Sequence, residues 1–187
     1  VILIKIAAWL YRMRHMDQIS AKDRVTLAEE STTISSPLAH RLGLYNVMSE
    51  MEDISMSVLE KGAYKMIAEK LRVTTPRRNK MIREFIRPIK EELEKEKFSV
   101  EIKGRQKAIS SIWRKMRRQK IDFEEVYDKF AIRVIIDTPP RREKTDCWRA
   151  YSIITDHYQP NPERLRDWIS APKSNGYEAL HTTVVVP

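Results

Sequence analysis

The spacing of apolar residues changes near residue 99, and this change restricts the fold of the 187-residue chain more than any other feature. Before it, apolar side chains recur at helical spacing, for example at Ile4, Ala8 and Tyr11, which is typical of helices that bury one face. After it, strand-like runs such as "KFAIRVIID" alternate with helical segments such as "KTDCWRAYSIITDHY". We therefore predict an α+β fold, with a helical N-terminal segment followed by a mixed-sheet domain.

A charged segment over residues 76–97, "PRRNKMIREFIRPIKEELEKEK", lies between the two patterns. Its Glu/Lys alternation predicts a long exposed helix. We expect Pro76 at the helix N-terminus and a kink at Pro88, because proline lacks the backbone N–H that a helix interior needs. The sequence thus predicts three parts, namely residues 1–75, a connector helix over residues 76–98, and residues 99–187.

Composition restricts the setting and the class of partner. The net charge is +9, a surplus that attracts nucleic acids, nucleotides or anionic membranes, with a merely soluble basic surface as the alternative. The single cysteine, Cys147, excludes an internal disulfide and fits a reducing, cytoplasmic setting. Lys5 and Arg12 interrupt the apolar opening "VILIKIAAWLYRMRHM", which predicts neither a membrane span nor a cleavable signal.

The segment "GRQKAISSIWRKMRRQ" predicts an amphipathic helix. Its apolar stripe comprises Ile109, Ile112, Trp113 and Met116, and its opposite side comprises Lys107, Ser111, Arg114 and Arg118. Since Gly104 precedes it, we expect Arg105 and Lys107 at the helix N-terminus, where free backbone N–H groups favour phosphates. A solvated basic face is the alternative.

The segment "VYDKFAIRVIID" predicts a strand with two chemically useful side chains. Asp128 is a candidate Mg²⁺ ligand, because a carboxylate at a strand edge often holds a metal that also binds phosphates. Arg133 interrupts an apolar run and can stack on a base or pair with a carboxylate. A purely structural ion pair of Arg133 is the alternative.

The segment "NPERLRDWISAPKSNGYEALHTT" predicts a long polar loop of the kind that carries function. Arg164, Arg166 and Lys173 supply positive charge, while Tyr177 and His181 are expected on the same side of a final strand. A nucleotide needs such a combination of a stacking surface and cations, although simple packing of the tyrosine is the alternative. Walker loops, CxxC pairs, HExxH and Ser-His-Asp spacings are absent from the sequence.

Taken together, these segments resemble the RelA/SpoT family, the long alarmone synthetases of the bacterial stringent response. The resemblance is carried in order by "SPLAHRLGLYNVMSEMEDISMSVLE", "GRQKAISSIWRKM", "YDKFAIRVIID" and "RLRDWISAPKSNGYEALHTTV". It implies a synthetase fold similar to the polymerase-β nucleotidyltransferases. It also implies Mg²⁺-dependent transfer of pyrophosphate from ATP to the 3′-hydroxyl of GDP or GTP.

The resemblance also implies roles for individual residues. On the ATP side, the adenine would lie between Arg105 and Arg133, and the phosphates would contact Lys107 and Lys115. Asp128 would be the catalytic carboxylate that binds Mg²⁺. On the acceptor side, guanine would stack on Tyr177, near Lys173, Asn175 and His181. Arg166 stands in "RLRD", which resembles the basic signature of bifunctional members and implies a preference for GDP over GTP.

The chain departs from the family pattern at two places, and each departure leads to an expectation about activity. The segment "IKIAAWLYRMR" resembles the last helix of the HD hydrolase domain, but Ala8 and Arg12 replace an Asp that binds metal and an Asn. We therefore expect residues 1–75 to be a remnant of a degenerate hydrolase. The family's second catalytic acid lies beyond Pro187, so we expect residues 99–187 to be a truncated synthetase that is inactive or weak alone.

Other classes of function stay open at this point. The basic residues at 77–87 and 114–120 are also compatible with an RNA- or ribosome-binding module. A regulatory pseudoenzyme that binds nucleotide without turnover is a third possibility. The resemblance further implies contacts of a longer parent protein with the ribosome and tRNA through regions outside this chain, and no membrane contact.

Overall fold

The structure is a computed structural model that describes residues 1–126, 130–174 and 176–185. The helices are α1 (Ile2–Arg14), α2 (Ala21–Glu30), α3 (Ser36–Arg41), α4 (Tyr45–Leu59), α5 (Lys61–Lys95), α6 (Ile109–Gln119) and α7 (Glu143–His157). The strands are β1 (Ser99–Gln106), β2 (Phe130–Asp137), β3 (Arg166–Asp167) and β4 (Leu180–His181). The predicted α+β class is confirmed.

Contacts divide the chain into two compact units. The first comprises Val1–Thr74 and Gln106–Phe130, and the second comprises Thr75–Arg105 and Ala131–Pro187. This division does not test the predicted assignment of residues 1–75, 76–98 and 99–187 to a hydrolase remnant, a connector and a synthetase, which stays a prediction. Among the described residues, no helix has the length and apolar character needed to cross a membrane.

The first unit contains two apolar clusters. The cluster built on α1 to α4 comprises Ile6, Met13, Met16, Leu27, Ala28, Ala39 and Met51. The cluster that includes α6 comprises Met56, Ile67, Leu71, Ile112, Met116, Phe123 and Val126. Ile112 is fully buried and Trp113 packs against the same cluster, so the predicted apolar stripe of α6 is confirmed.

The N-terminus of α6 is bound by a side chain of the same unit. The Asp53 carboxylate accepts hydrogen bonds from the backbone N–H groups of Ile109, at 3.2 Å, and Ser110, at 2.8 Å. The Ser110 hydroxyl donates a further bond to it, at 2.6 Å. This carboxylate therefore satisfies first-turn amides that have no partner within the helix and complements the positive end of the helix dipole.

The predicted start of this helix was wrong. β1 continues to Gln106 and includes Arg105, whereas α6 begins at Ile109 after Ala108, so Lys107 also precedes the helix. The physical reason is that the anchoring anion is Asp53 of α4, and its position determines which amides form the first turn. Arg105 and Lys107 consequently do not lie at a helix N-terminus.

Helix α5 is continuous through Pro76 and Pro88, so the predicted helix start at Pro76 was wrong. Each internal proline costs about 3 kcal/mol or more through a lost hydrogen bond and a steric clash. Burial of a large apolar side chain contributes about 1.5–3 kcal/mol. The helix buries several of them on both sides of the prolines: Ile67, Leu71, Phe85, Ile89 and Leu93. Tertiary burial therefore outweighs the local penalty.

The second unit packs strands β1 and β2, which are hydrogen-bonded neighbours, against α5 and α7. Along β2, Ile132, Val134 and Ile136 pack on the core, while Arg133 and Ile135 alternate with them and are exposed. The predicted strand at "KFAIRVIID" and the predicted helix at "KTDCWRAYSIITDHY" are both confirmed.

Two close contacts fix parts of this unit. At Gly104 a Cβ atom would lie 3.3 Å from Cγ2 of Ile82 on α5, so strand and helix are closely packed there. At the start of α7 the buried Asp146 carboxylate accepts a hydrogen bond from the Thr138 hydroxyl, and Arg142 lies 3.2 Å away. These bonds and the nearby arginines lower the pKa of Asp146, the hydroxyl contributing most.

We predict that Asp53→Ala destabilises the first unit by about 1–3 kcal/mol, because it removes a charged cap and leaves helix amides unsatisfied. Urea unfolding followed by circular dichroism measures the change. Asp17→Ala is the matched control, since this residue is exposed, and it should change the free energy of unfolding by less than about 0.5 kcal/mol. Equal stability of the Asp53 variant and the wild type would contradict the proposed anchoring.

Candidate functional site

The loop between β3 and β4 contains most of the residues predicted to bind an acceptor. The two strands pair antiparallel, with Arg166 opposite His181. The pairing continues where the Trp168 backbone N–H donates to the carbonyl of Ala179, at 3.0 Å. The predicted final strand from Glu178 onward is shorter than expected, since β4 covers Leu180–His181 alone. The loop thus starts and returns on a fixed two-stranded base.

The far end of the loop is a closed turn. The Lys173 N–H donates to the Tyr177 carbonyl, at 3.1 Å, and the Gly176 N–H donates to the Lys173 carbonyl, at 2.8 Å. Gly176 has a φ of +75°, a left-handed conformation that glycine adopts without steric cost. The chain therefore turns between Lys173 and Tyr177, where the sequence predicted a turn, and Asn175 itself lies outside the described residues.

The near end of the loop is held by Asp167. Its carboxylate accepts hydrogen bonds from the backbone N–H groups of Ser170, at 2.7 Å, and Ile169, at 3.0 Å. These bonds, chiefly that from Ser170, hold the pKa of Asp167 below its usual value. The Arg166 guanidinium donates to the backbone carbonyls of Glu163 and Leu165, which fixes its direction.

Tyr177 and His181 contact each other, as their predicted position on one side implied. The Tyr177 hydroxyl lies 2.8 Å from Nε2 of His181, and the two rings meet edge to face, with centroids 5.7 Å apart. Desolvation of the imidazole, followed by the positive charges of Lys173 and Arg133, lowers the pKa of His181. The lowered pKa favours the neutral imidazole, and in the tautomer with the proton on Nδ1 its Nε2 accepts a hydrogen bond from the Tyr177 hydroxyl.

The Lys173 ammonium contacts two aromatic rings. Its Nζ lies 4.8 Å from the Trp168 ring centroid and 5.2 Å from the Tyr177 ring centroid. Sequence reasoning identified Lys173 and Tyr177 but missed Trp168. The signal available in the sequence was an aromatic residue directly after "RLRD" and five residues before Lys173.

The residues predicted for ATP are distributed over both compact units. Arg105 and Arg133 are exposed strand residues of the second unit, while Lys107 and Lys115 belong to the first. The positive charge of Arg133 contributes, after desolvation and Lys173, to the lowered pKa of His181. The described residues that were predicted to bind the acceptor all lie within the second unit.

The basic residues of α6 are partly neutralised by acids of the same unit. Arg114 lies 2.7 Å from a carboxylate oxygen of Glu52, and Arg117 lies 3.6 Å from one of Glu60. Each pair has an exposed member, so it contributes little to stability, on the order of 0–1 kcal/mol. The pairs nevertheless reduce the positive charge that this helix presents to a polyanion.

Two further predictions concern metals. Asp128, the predicted Mg²⁺ ligand, lies outside the described residues. Among residues 1–126, 130–174 and 176–185, no group of three or more His, Cys, Asp or Glu side chains could hold a metal ion. On α1, Ala8 and Arg12 lie one turn apart and both are exposed.

Comparisons with known proteins identify a family model and relatives with similar sequences. A family model described as "Region found in RelA / SpoT proteins" matches residues 104–187. The whole chain is 34% identical to the GTP pyrophosphokinase of Escherichia coli strain K12 and covers 24% of it. It is 33% identical to the GTP pyrophosphokinase of Myxococcus xanthus, again with full coverage of this chain and 24% of the relative.

A relative with two named activities is equally similar. The bifunctional (p)ppGpp synthase/hydrolase SpoT of Escherichia coli strain K12 is 33% identical over the whole of this chain, which covers 26% of that relative. The chain therefore spans about a quarter of the length of the curated relatives it matches.

We predict that Lys173→Met raises the pKa of His181, because a nearby positive charge disfavours the imidazolium form. NMR titration of the imidazole Cε1–H signal, assigned with a His181→Gln variant, measures the change. Lys90→Met, on α5 of the same unit, is the control and should leave the pKa unaltered. An unchanged or lower pKa in the Lys173 variant would show that the ammonium does not act on this ring.

Proposed function

This chain belongs to the RelA/SpoT family, and we propose that its β3–β4 loop forms the acceptor site of a pyrophosphate transferase. The proposed reaction moves pyrophosphate from ATP to the 3′-hydroxyl of GDP or GTP. It is proposed for the longer protein, because this chain spans about a quarter of its relatives. The proposed fold of the transferase domain is similar to the polymerase-β nucleotidyltransferases.

The observation that supports the acceptor site best is the grouping of Lys173, Tyr177 and His181. A guanine base can stack on the half-buried Tyr177 ring, an interaction worth about 1–3 kcal/mol for a base on an aromatic side chain. The hydrogen bond to His181 fixes the direction of the ring, since it holds the hydroxyl at 2.8 Å. Lys173 adds positive charge beside it, and Arg166, which pairs with His181 across the two strands, and Asn175 are proposed as further acceptor contacts.

The proposed contacts with ATP, the pyrophosphate donor, are inferred from the family motifs. Arg105 and Arg133 are proposed to lie on either side of the adenine, and Lys107 and Lys115 to contact the ATP phosphates. Asp128 is proposed to hold Mg²⁺, which would neutralise phosphate charge. Phosphoryl-type transfer depends mainly on positioning the two substrates and on neutralising the phosphate charge. Cationic side chains and one carboxylate that binds Mg²⁺ can do both.

Acceptor preference and hydrolase activity are further parts of the proposal. Arg166 stands in a basic "RLRD" segment, from which we propose a preference for GDP over GTP. The guanidinium bonds to the Glu163 and Leu165 carbonyls give this residue a defined direction. We also propose that the hydrolase half of the longer protein is inactive, because Ala8 cannot bind a metal and Arg12 would repel one.

Two alternatives are weaker. An RNA- or ribosome-binding module would use the basic residues of α5 and α6, but Arg114 and Arg117 are engaged by Glu52 and Glu60. A regulatory pseudoenzyme would bind nucleotide through the same loop without turnover. Contacts with the ribosome or tRNA are proposed for regions outside this chain, and the cytoplasm is the proposed location.

We predict that the longer protein forms ppGpp from ATP and GDP, and that Asp128→Asn abolishes transfer, with a loss on the order of a hundredfold or more. ATP should still bind, because its other proposed contacts remain. Thin-layer chromatography of labelled nucleotides measures the product, and calorimetry measures binding. Asp137→Asn, at the C-terminal end of β2, is the matched control and should retain activity.

Three outcomes would contradict this proposal in different ways. Full activity of Asp128→Asn would remove that carboxylate from the mechanism. Binding of both nucleotides without product would favour the pseudoenzyme. Failure of ATP and GDP to bind, together with tight RNA binding that falls steeply with salt, would favour the RNA-binding module.

We predict that the longer protein releases no pyrophosphate from ppGpp in the presence of Mn²⁺. Ala8 offers no ligand atom and Arg12 brings a positive charge to the proposed metal position. Chromatography of labelled ppGpp measures hydrolysis, with a hydrolase-competent family member as the positive control. Turnover comparable to that control would show that these two positions are not required for hydrolysis.

A further inference from the structure

We propose that Trp168 is a positioning residue for the acceptor nucleotide, because its indole ring holds the Lys173 ammonium beside Tyr177. The inference rests on the proposed function, since it concerns the same acceptor site. It adds a residue that neither the family resemblance nor the sequence motifs had assigned. The supporting contacts all lie within the β3–β4 loop.

The geometry is that of one cation shared between two rings. Lys173 Nζ lies 4.8 Å from the centroid of Trp168 and 5.2 Å from that of Tyr177. Both distances fall within the roughly 6 Å over which an ammonium is attracted to a ring face, and tryptophan is the strongest of the aromatic partners. Each such contact at an exposed site changes an equilibrium by about two- to five-fold.

The backbone around Trp168 is held by several hydrogen bonds. Trp168 follows β3, and its N–H is bound to the Ala179 carbonyl at 3.0 Å. The next two N–H groups, those of Ile169 and Ser170, are bound by Asp167. The indole is also half-buried, so it is a fixed reference for a lysine that lies farther along the loop and has four rotatable bonds.

The position of Lys173 matters when the acceptor nucleotide binds. The acceptor guanine is proposed to use the Tyr177 ring, which is also one of the two rings that attract the ammonium. Trp168 would keep Lys173 at the edge of the site while the base occupies the tyrosine. Such preorganisation increases affinity because less side-chain freedom is lost when the ligand binds. The effect should appear in GDP binding and be absent from ATP binding.

The test compares Trp168→Leu with Trp168→Phe in the longer protein. Trp168→Leu removes the ring and should weaken GDP binding by about two- to five-fold, without altering the dissociation constant of ATP. Trp168→Phe keeps a ring and should stay within about two-fold of the wild type. Trp148→Leu makes the same chemical change at another half-buried tryptophan of this unit and should have no effect.

A double-mutant cycle separates positioning from simple packing. In a Lys173→Met background the Trp168→Leu change should weaken GDP binding by less than about two-fold, because the cation that it positions is already absent. NMR gives a second measurement. The Lys173 ε-methylene protons should be shifted upfield by the indole ring in the wild type and in Trp148→Leu, and lose that shift in Trp168→Leu.

The following results would overturn the proposed role of Trp168. If the wild type binds GDP and the two changes are additive, or if Trp168→Phe is as weak as Trp168→Leu, Trp168 is not a positioning residue. If the wild type binds no GDP, the proposed function fails and the inference fails with it. Should Trp168→Leu not fold, Trp168→Met with and without Lys173→Met gives the same comparison, because methionine fills more of the space of the indole and has no ring to attract the cation.

Discussion

The apolar face of α5 is the constraint on which the rest of the structure depends. The helix buries Ile67 and Leu71 in a cluster of the first unit, and Phe85, Ile89 and Leu93 in the core of the second. Each core therefore depends on its own part of this helix, which contains two internal prolines. In the second unit this helix supports the sheet that carries Arg133, while in the first it supports the packed face of α6.

The candidate site places a histidine near two positive charges. Desolvation, followed by the charges of Lys173 and Arg133, lowers the pKa of His181, so these charges repel an imidazolium there. An anionic ligand would relieve this repulsion and gain attraction at the same time. The Tyr177 hydroxyl bond, the turn at Gly176 and the Asp167 bonds hold the loop in one arrangement. These hydrogen bonds therefore hold the loop in place around the positive charges in the absence of a ligand.

The sequence predicted those helices and strands in which the spacing of apolar residues within one segment indicates the buried face. The α6 stripe, strand β2 and helix α7 were all found in this way, and so was the approach of Tyr177 to His181. The failures came from interactions between distant segments. Asp53 is separated from Ser110 by 57 residues, and no local pattern relates them. Pro76 was misread because tertiary burial overrides local propensity. The nucleotide roles came from the family resemblance, which periodicity could not supply.

The contact of Gly104 with Ile82 limits which residue can occupy this strand position. A Cβ atom there would lie 3.3 Å from the helix side chain, which is tighter than an ordinary van der Waals contact. Any larger residue would therefore require Ile82 or the strand to shift. Arg105 is the next residue of the strand. The missing side chain at residue 104 thus allows β1 to carry Arg105 past α5 at its present separation from the helix.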